Sequence, residues 1–216
     1  MLERTKLVIL DFDGTIADSK EMVFQGFQEV LENHGYHRNF HEIKKHVKGR
    51  GFVKDIGSLL PLKNQRKEKV LISKLRREFN KIKKRNNKKM ALRKGTKDFL
   101  KFLNERKIRV VLLSNSDAVF IRHYLNQHKI LKYFLRVIGI DSGFESKVSA
   151  GRFLLKKYGL NPKDALYIGD TPYDIETAKT IGCPIASISG WYSEKELRKN
   201  KPNMLIRSFE DLMKSK

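Results

Sequence analysis

Short apolar runs recur along the second half of the chain, each closed by polar turn residues. Residues 108–113 are followed by Ser114-Asn115-Ser116, and 136–140, 165–168 and 184–188 have the same character. Helix-period stretches near 117–128, 148–158 and 173–181 lie between them. Apolar side chains at nearly every position, instead of every second one, mark strands buried on both faces. Helices between such strands imply a parallel sheet covered on both sides. With 6–10 as a further strand, the pattern predicts an α/β protein with a doubly wound, Rossmann-like sheet.

Residues 17–90 break this alternation. They carry helical patterns near 19–33, 41–47, 51–60 and 65–85, punctuated by Gly35, Gly49, Gly51 and Pro61. The expected organisation is therefore an α/β core made of 1–16 and 91–216, with 17–90 inserted as a helical cap over the sheet's carboxyl edge. Within the insert, 63–94 is densely basic. Lys63, Arg66, Lys67, Lys69, Lys74, Arg76, Arg77, Lys81, Lys83, Lys84, Arg85, Lys88 and Lys89 are opposed only by Glu68 and Glu78. Val70, Leu71, Leu75, Phe79 and Ile82 recur at helical spacing, which predicts an amphipathic helix with a cationic solvent face. The stretch 85–89 is expected to be the hinge back to the core.

Composition narrows the classes. The 216 residues suffice for one large core plus a small inserted domain. One cysteine, Cys183, excludes an intrachain disulfide framework and fits a reducing compartment. The apolar run at 7–10 is too short for a signal-peptide core or a membrane span, so the expected location is cytoplasmic, with no membrane partner. The formal charge of +22, from 46 basic and 24 acidic residues, favours anionic partners such as phosphate esters or nucleic acid. Charge of this kind speaks to encounter more than to specific function.

The candidate chemistry lies at the strand ends. Asp11 and Asp13 close the first strand in the run Leu7-Val8-Ile9-Leu10-Asp11-Phe12-Asp13-Gly14-Thr15. Their spacing of two puts both carboxylates on one side of an extended chain, where like charges call for a cation or a shared proton. Gly14 permits a tight turn and close backbone approach to a ligand. Gly169-Asp170-Thr171-Pro172-Tyr173-Asp174 ends another apolar run and opens a helix. Alone, its acids read equally as helix caps; with Asp11 and Asp13 they supply hard oxygen ligands suited to Mg²⁺. Ser114 and Asn115 follow the strand at 108–113, and Lys147 stands in a loop before a helix. Each is individually an ordinary turn or surface residue. Their order at successive strand ends is what gives them weight, because open α/β sheets bind ligands there.

That ordered set resembles the haloacid dehalogenase superfamily through all four of its motifs: Asp11 to Thr15, Ser114-Asn115, Lys147, and Gly169-Asp170-Thr171 to Asp174. The resemblance is to the phosphoglycolate phosphatase and β-phosphoglucomutase-like subgroup, whose cap is α-helical. It implies a Mg²⁺-dependent phosphatase acting on a small phosphate monoester through an aspartyl-phosphate. Asp11 would be nucleophile and metal ligand, and Asp13 general acid/base and, through its carbonyl, also a ligand. Ser114 would bind the transferring phosphoryl, Lys147 would neutralise charge, and Asp170 and Asp174 would complete the metal site. Asn115, Gly14 and Thr15 would contact substrate. Two departures stand out: Val148 where many relatives have proline, and Lys94-Gly95 where Pro-Gly is frequent.

A sugar-phosphate mutase of the same superfamily is the first alternative. A nucleic-acid-binding or polynucleotide end-phosphate-removing protein is the second, resting on the basic helix and the net charge. The basic stretch has no stacking platform, since its aromatic Phe79 falls at core spacing. A small phosphorylated substrate is therefore favoured over nucleic acid. The sequence implies no particular oligomeric state.

Overall fold

The computed structural model describes residues 2–61, 65–87 and 90–214, and Lys63, Lys88, Lys89 and the side chains of Arg66 and Lys67 fall outside that description. The chain runs through β1 (Leu7–Leu10), β2 (Ala17–Asp18), α1 (Lys20–Glu32), α2 (Phe40–His46), α3 (Phe52–Gly57) and α4 (Gln65–Asn86). It continues as β3 (Ala91–Leu92), α5 (Thr96–Glu105), β4 (Arg109–Leu113), α6 (Ala118–Gln127), β5 (Arg136–Ile138) and α7 (Lys147–Lys157). Then follow β6 (Ala165–Gly169), α8 (Pro172–Ile181), β7 (Ile185–Ile188), α9 (Glu194–Arg198), β8 (Met204–Ile206) and α10 (Phe209–Lys214). Two compact units result: Met1–Asp18 with Leu92–Lys216, and Ser19–Ala91.

The first unit is built on one six-stranded sheet in the order β5-β4-β1-β6-β7-β8. Every neighbouring pair is parallel. All residues of β1, β6 and β7 are buried, as their unbroken apolar sequences require. From β1 the chain moves outward to β4 and β5, then returns to β6 on the other side of β1. The strand order thus reverses between β1 and β6, and that reversal opens a crevice at their carboxyl ends.

Several elements depart from the expected pattern. The fifth strand stops at Ile138, two residues early, because Gly139 and Ile140 turn to meet the loop after β4. The Ile140 amide donates to the Ser116 carbonyl at 3.1 Å. A Cβ on Gly139 would lie 2.3 Å from the Ala118 nitrogen. The short pair β2–β3 and the elements α5, α9, β8 and α10 lie outside the expected pattern. Except for α5, each is too brief to display a period. The 85–89 hinge also needs correction: Arg85 and Asn86 belong to the last turn of α4.

The second unit is helical. Its core is aromatic: the Phe79 ring lies 5.0 Å from Phe27 and 4.8 Å from Phe52, centroid to centroid. Gly26 makes room for it, since a Cβ there would fall 2.9 Å from the Phe79 ring. Asn33 and His34 both reach Glu78, at 2.6 and 2.9 Å, tying the end of α1 to α4. Lys83 leaves the predicted cationic face; it is buried, with its ammonium 5.9 Å from the Phe79 centroid. No helix among the described residues is long and apolar enough to cross a membrane.

Candidate active site

The crevice is lined by acids. Asp11 follows β1 directly, its amide donating to the Ile168 carbonyl of β6 at 3.0 Å. That register sets Asp11 beside Asp170, which follows β6. The chain then turns sharply. The Phe12 carbonyl accepts from the amides of Thr15, Ile16 and Ala17 at 3.3, 2.9 and 3.0 Å. Gly14 sits in this turn with φ +77°, and a Cβ on it would lie 2.0 Å from an Asp170 carboxylate oxygen. Glycine is thus required there both for its backbone conformation and for the space.

Asp174 is the third buried acid. It occupies the first turn of α8, where Thr171 caps the helix and its hydroxyl donates to Asp174 Oδ2 at 2.6 Å. The dipole of a helix N-terminus favours a carboxylate at that place. Asp174 Oδ1 accepts from the Tyr167 hydroxyl at 3.1 Å and from Lys147 Nζ at 2.9 Å. Lys147 Nζ also donates to Asp11 Oδ1 at 2.8 Å. The predicted loop position of Lys147 is corrected: it is the first residue of α7, capped by Ser146, and fully embedded.

The remaining predicted residues surround this cluster. Thr15 Oγ1 donates to Asp170 Oδ1 at 3.4 Å. The Ser114 hydroxyl oxygen accepts from the Ser116 amide at 3.1 Å, and the Ser116 hydroxyl donates to Asp13 Oδ2. Asn115 lies between these serines on the same loop, half-buried. Four residues outside the predicted set take part: Ser116, Tyr167, Trp191 and Arg93. The Trp191 amide donates to Asp170 Oδ2 at 3.2 Å, which places that residue on the site. Arg93 donates to the carbonyls of Gly14 and Ser189, linking the loop after β1 to the loop after β7.

Electrostatics follow from the burial. Desolvation pushes the Asp11 carboxyl up to about 7; Lys147 works against that shift, while Asp174 and Asp13 add to it. Asp170 is driven well above the usual carboxylate range by burial, with Asp174 and Asp11 adding to the rise. Burial opposes the Lys147 ammonium, yet Asp11 and Asp174 hold its pKa well above the ordinary lysine value.

Among the described residues, one buried ammonium, that of Lys147, faces three buried carboxylates, with Arg93 adding positive charge near Asp170. Asp11, Asp170 and Asp174 each offer an oxygen, and these oxygens all lie within 4.8 Å of one another. Hard oxygen donors with excess negative charge fit a hard divalent cation such as Mg²⁺. A cation held by Asp11 would have to displace its proton below about pH 7. If Asp11 holds the cation, apparent Mg²⁺ affinity is expected to fall at least about fivefold from pH 7 to 6, as a carboxyl with pKa about 7 goes from half to roughly a tenth ionised. Thermal-shift titrations with Mg²⁺ at pH 6, 7 and 8 measure this. A flat affinity across that range would remove Asp11 from the ligand set.

The haloacid dehalogenase-like hydrolase family model matches residues 8–188. A phosphoglycolate phosphatase of Aliivibrio fischeri is 27% identical over 220 residues, covering 99% of this chain and 97% of its own. A solved haloacid dehalogenase-like structure from Bacteroides fragilis has a TM-score of 0.86 at 23% identity, covering 96% of this chain and 99% of its own. CbbY from Rhodobacter sphaeroides, solved with xylulose-(1,5)bisphosphate, has a TM-score of 0.81 at 17% identity, with 96% of both chains covered. With the acid-lined crevice at the switch point of its sheet, the chain belongs to the haloacid dehalogenase-like hydrolase family, as an enzyme of the phosphatase kind.

Proposed function

We propose that this chain hydrolyses a small phosphate monoester with the help of Mg²⁺, and that Asp11 is phosphorylated in the course of each turnover. The observation that carries the reading is the Asp11 carboxylate itself. It projects from the end of the central strand into a buried cluster and accepts from Lys147 at 2.8 Å. A carboxylate so placed can attack a phosphorus atom in line, with its cationic neighbour beside the phosphoryl oxygens.

Each residue then has a distinct task. Asp11 Oδ forms the new bond to phosphorus as the ester oxygen leaves, and Asp13 gives that oxygen a proton. Lys147 and the Ser114 hydroxyl balance charge on the phosphoryl oxygens from fixed positions, so little reorganisation is needed as the transition state forms. Asp13 next takes a proton from water, whose oxygen attacks phosphorus and frees Asp11. Asp11, Asp170, the Asp13 carbonyl and Asp174 would hold Mg²⁺, which when bound supplies further positive charge to the phosphoryl group. Trp191 and Thr15 keep the Asp170 carboxylate oriented, while Thr171 and Tyr167 do the same for Asp174.

Relatives named phosphoglycolate phosphatase align over nearly the whole chain, which supports a compact anionic alkyl phosphate as substrate, with phosphoglycolate the first to try. The test is phosphate release from a panel of monoesters, including phosphoglycolate, sugar phosphates and 5′- and 3′-phosphorylated oligonucleotides. Release is expected with Mg²⁺ and is expected to stop with chelator. Equal release in both conditions would overturn the metal requirement. Silence from folded protein across the panel would overturn the hydrolytic reading.

A further inference from the structure

Ser116 has no place in the scheme above, yet its hydroxyl donates to Asp13 Oδ2. We propose that Ser116 is a positioning residue for Asp13, holding the orientation from which that acid delivers its proton to the leaving alcohol. The inference rests on the phosphatase reading and on Asp13 as its acid.

The geometry around Ser116 is fixed from three directions. Its amide donates to the Ser114 hydroxyl oxygen at 3.1 Å. Its carbonyl accepts from the Ile140 amide at 3.1 Å. Gly139 packs against the same carbonyl so closely that a Cβ there would sit 2.5 Å from the Ser116 oxygen. Two residues on, the Ala118 amide donates to Asp141 Oδ1 at 2.7 Å. The loop after β4 is thus pinned by the loop after β5, and the Ser116 hydroxyl starts from a set point.

On the other side, the Asp13 backbone is set by its bridge to Ala17 and by the Gly14 amide donating to the Ala17 carbonyl at 2.8 Å. The Ser116 hydroxyl acts on the torsion of the Asp13 side chain. A hydroxyl donating to Oδ2 restrains it and so sets the direction in which the carboxyl presents its proton. When the phosphorus–oxygen bond to the alcohol breaks and the bond to Asp11 forms, the Asp13 carboxyl passes its proton to the departing oxygen. Asp13 is left as a carboxylate whose Oδ2 still accepts from Ser116. The same residue also orders Ser114. With its oxygen accepting from the Ser116 amide, the Ser114 hydroxyl is left to donate its own proton to a phosphoryl oxygen.

A purely structural hydrogen bond and a positioning one predict different dependence on the leaving group. An alkyl alcohol is a poor leaving group and needs the proton; p-nitrophenol leaves readily without it. The experiment compares kcat/KM for an alkyl phosphate and for p-nitrophenyl phosphate, using the full chain with Mg²⁺. The enzymes are wild type, Ser116→Ala, Ser116→Thr and Asp13→Asn. A positioned proton donor contributes about 10²–10⁴-fold, and loss of its orientation should forfeit roughly tenfold or more of that.

Ser116→Ala is therefore expected to lose roughly tenfold on the alkyl ester and to stay within about twofold on the aryl ester, with Ser116→Thr restoring the alkyl rate. Aryl turnover doubles as the check that each variant is folded. Equal losses on both esters, or no loss on either, would overturn the assignment. Asp13→Asn separates the two layers of the argument. If it is selective against the alkyl ester while Ser116→Ala is not, the role of Ser116 falls alone. If Asp13→Asn shows no selectivity, the acid role of Asp13 falls, and that of Ser116 with it.

Discussion

Asp11→Asn is expected to lower kcat by at least about four orders of magnitude while the protein remains folded, as removal of a covalent nucleophile does elsewhere. The amide keeps the shape of the side chain but cannot attack phosphorus, so no residual route through the same geometry is available. The fold should survive for an electrostatic reason. Asp11 is one of three carboxylates crowded into a buried cluster, and burial, aided by Asp174 and Asp13 and opposed by Lys147, raises its pKa to about 7. Neutralising it removes a like charge beside Asp170 and Asp174, while Lys147 keeps Asp174 as a partner at 2.9 Å. Melting temperature without metal should therefore match or exceed that of wild type. Phosphate release on the preferred ester, together with a circular-dichroism melt, gives both readings. Activity above about one per cent of wild type would remove Asp11 as nucleophile, since such loss is far below what covalent catalysis requires.

The parts of this protein that sequence made legible are those where one physical demand acts on adjacent residues. A strand buried on both faces needs apolar side chains throughout, and so 108–113 and 165–168 announced β4 and β6 almost to the residue. Carboxylates ending such a strand have no packing reason to be there, which singles out Asp11 and Asp13 and gives Asp170 its weight beside them. The structure brings Asp11 and Asp170 together with Asp174 and Lys147, because parallel register places successive strand ends side by side. What escaped notice acts through single contacts made at long range. Ser116 is a turn serine until the loop after β5 is seen to clamp it. Arg93 looks like one more base in a basic stretch, though its guanidinium bridges two carbonyls far apart in sequence. Lys147 reads as a loop residue because nothing in Ser146-Lys147-Val148-Ser149 shows a helical period. The reciprocal capping of Ser146 and Ser149 starts α7 one residue earlier. Short elements such as β8 owe their form to a neighbour: it extends the sheet only because β7 offers it an edge.

Lys147→Met should be costly to stability, and the cost should grow with pH. Methionine fills a similar volume, so the change isolates the charge. Removing one partner of a buried ion pair typically costs about 3–5 kcal/mol, because the other is left without compensation. Here the partners are Asp11 and Asp174, both buried and both within 2.9 Å of the lost ammonium. The acids can escape part of that cost by taking up protons. Lys147 now restrains the rise of the Asp11 pKa, so its loss moves that pKa upward from about 7. A carboxylate whose folded pKa lies above its unfolded value contributes stability that is whole below the unfolded pKa. That contribution is lost as pH rises through the folded pKa. The metal-free variant should therefore be least stable relative to wild type at pH 8 and should recover part of the difference at pH 5.5. Urea unfolding at the two pH values, with EDTA present, measures the slope. Adding Mg²⁺ at pH 8 should restore more stability to the variant than to wild type, since the cation then replaces the only positive charge the cluster has lost. A variant equally destabilised at both pH values and indifferent to Mg²⁺ would mean that Lys147 acts by packing, and that the three acids do not form one charge-coupled site.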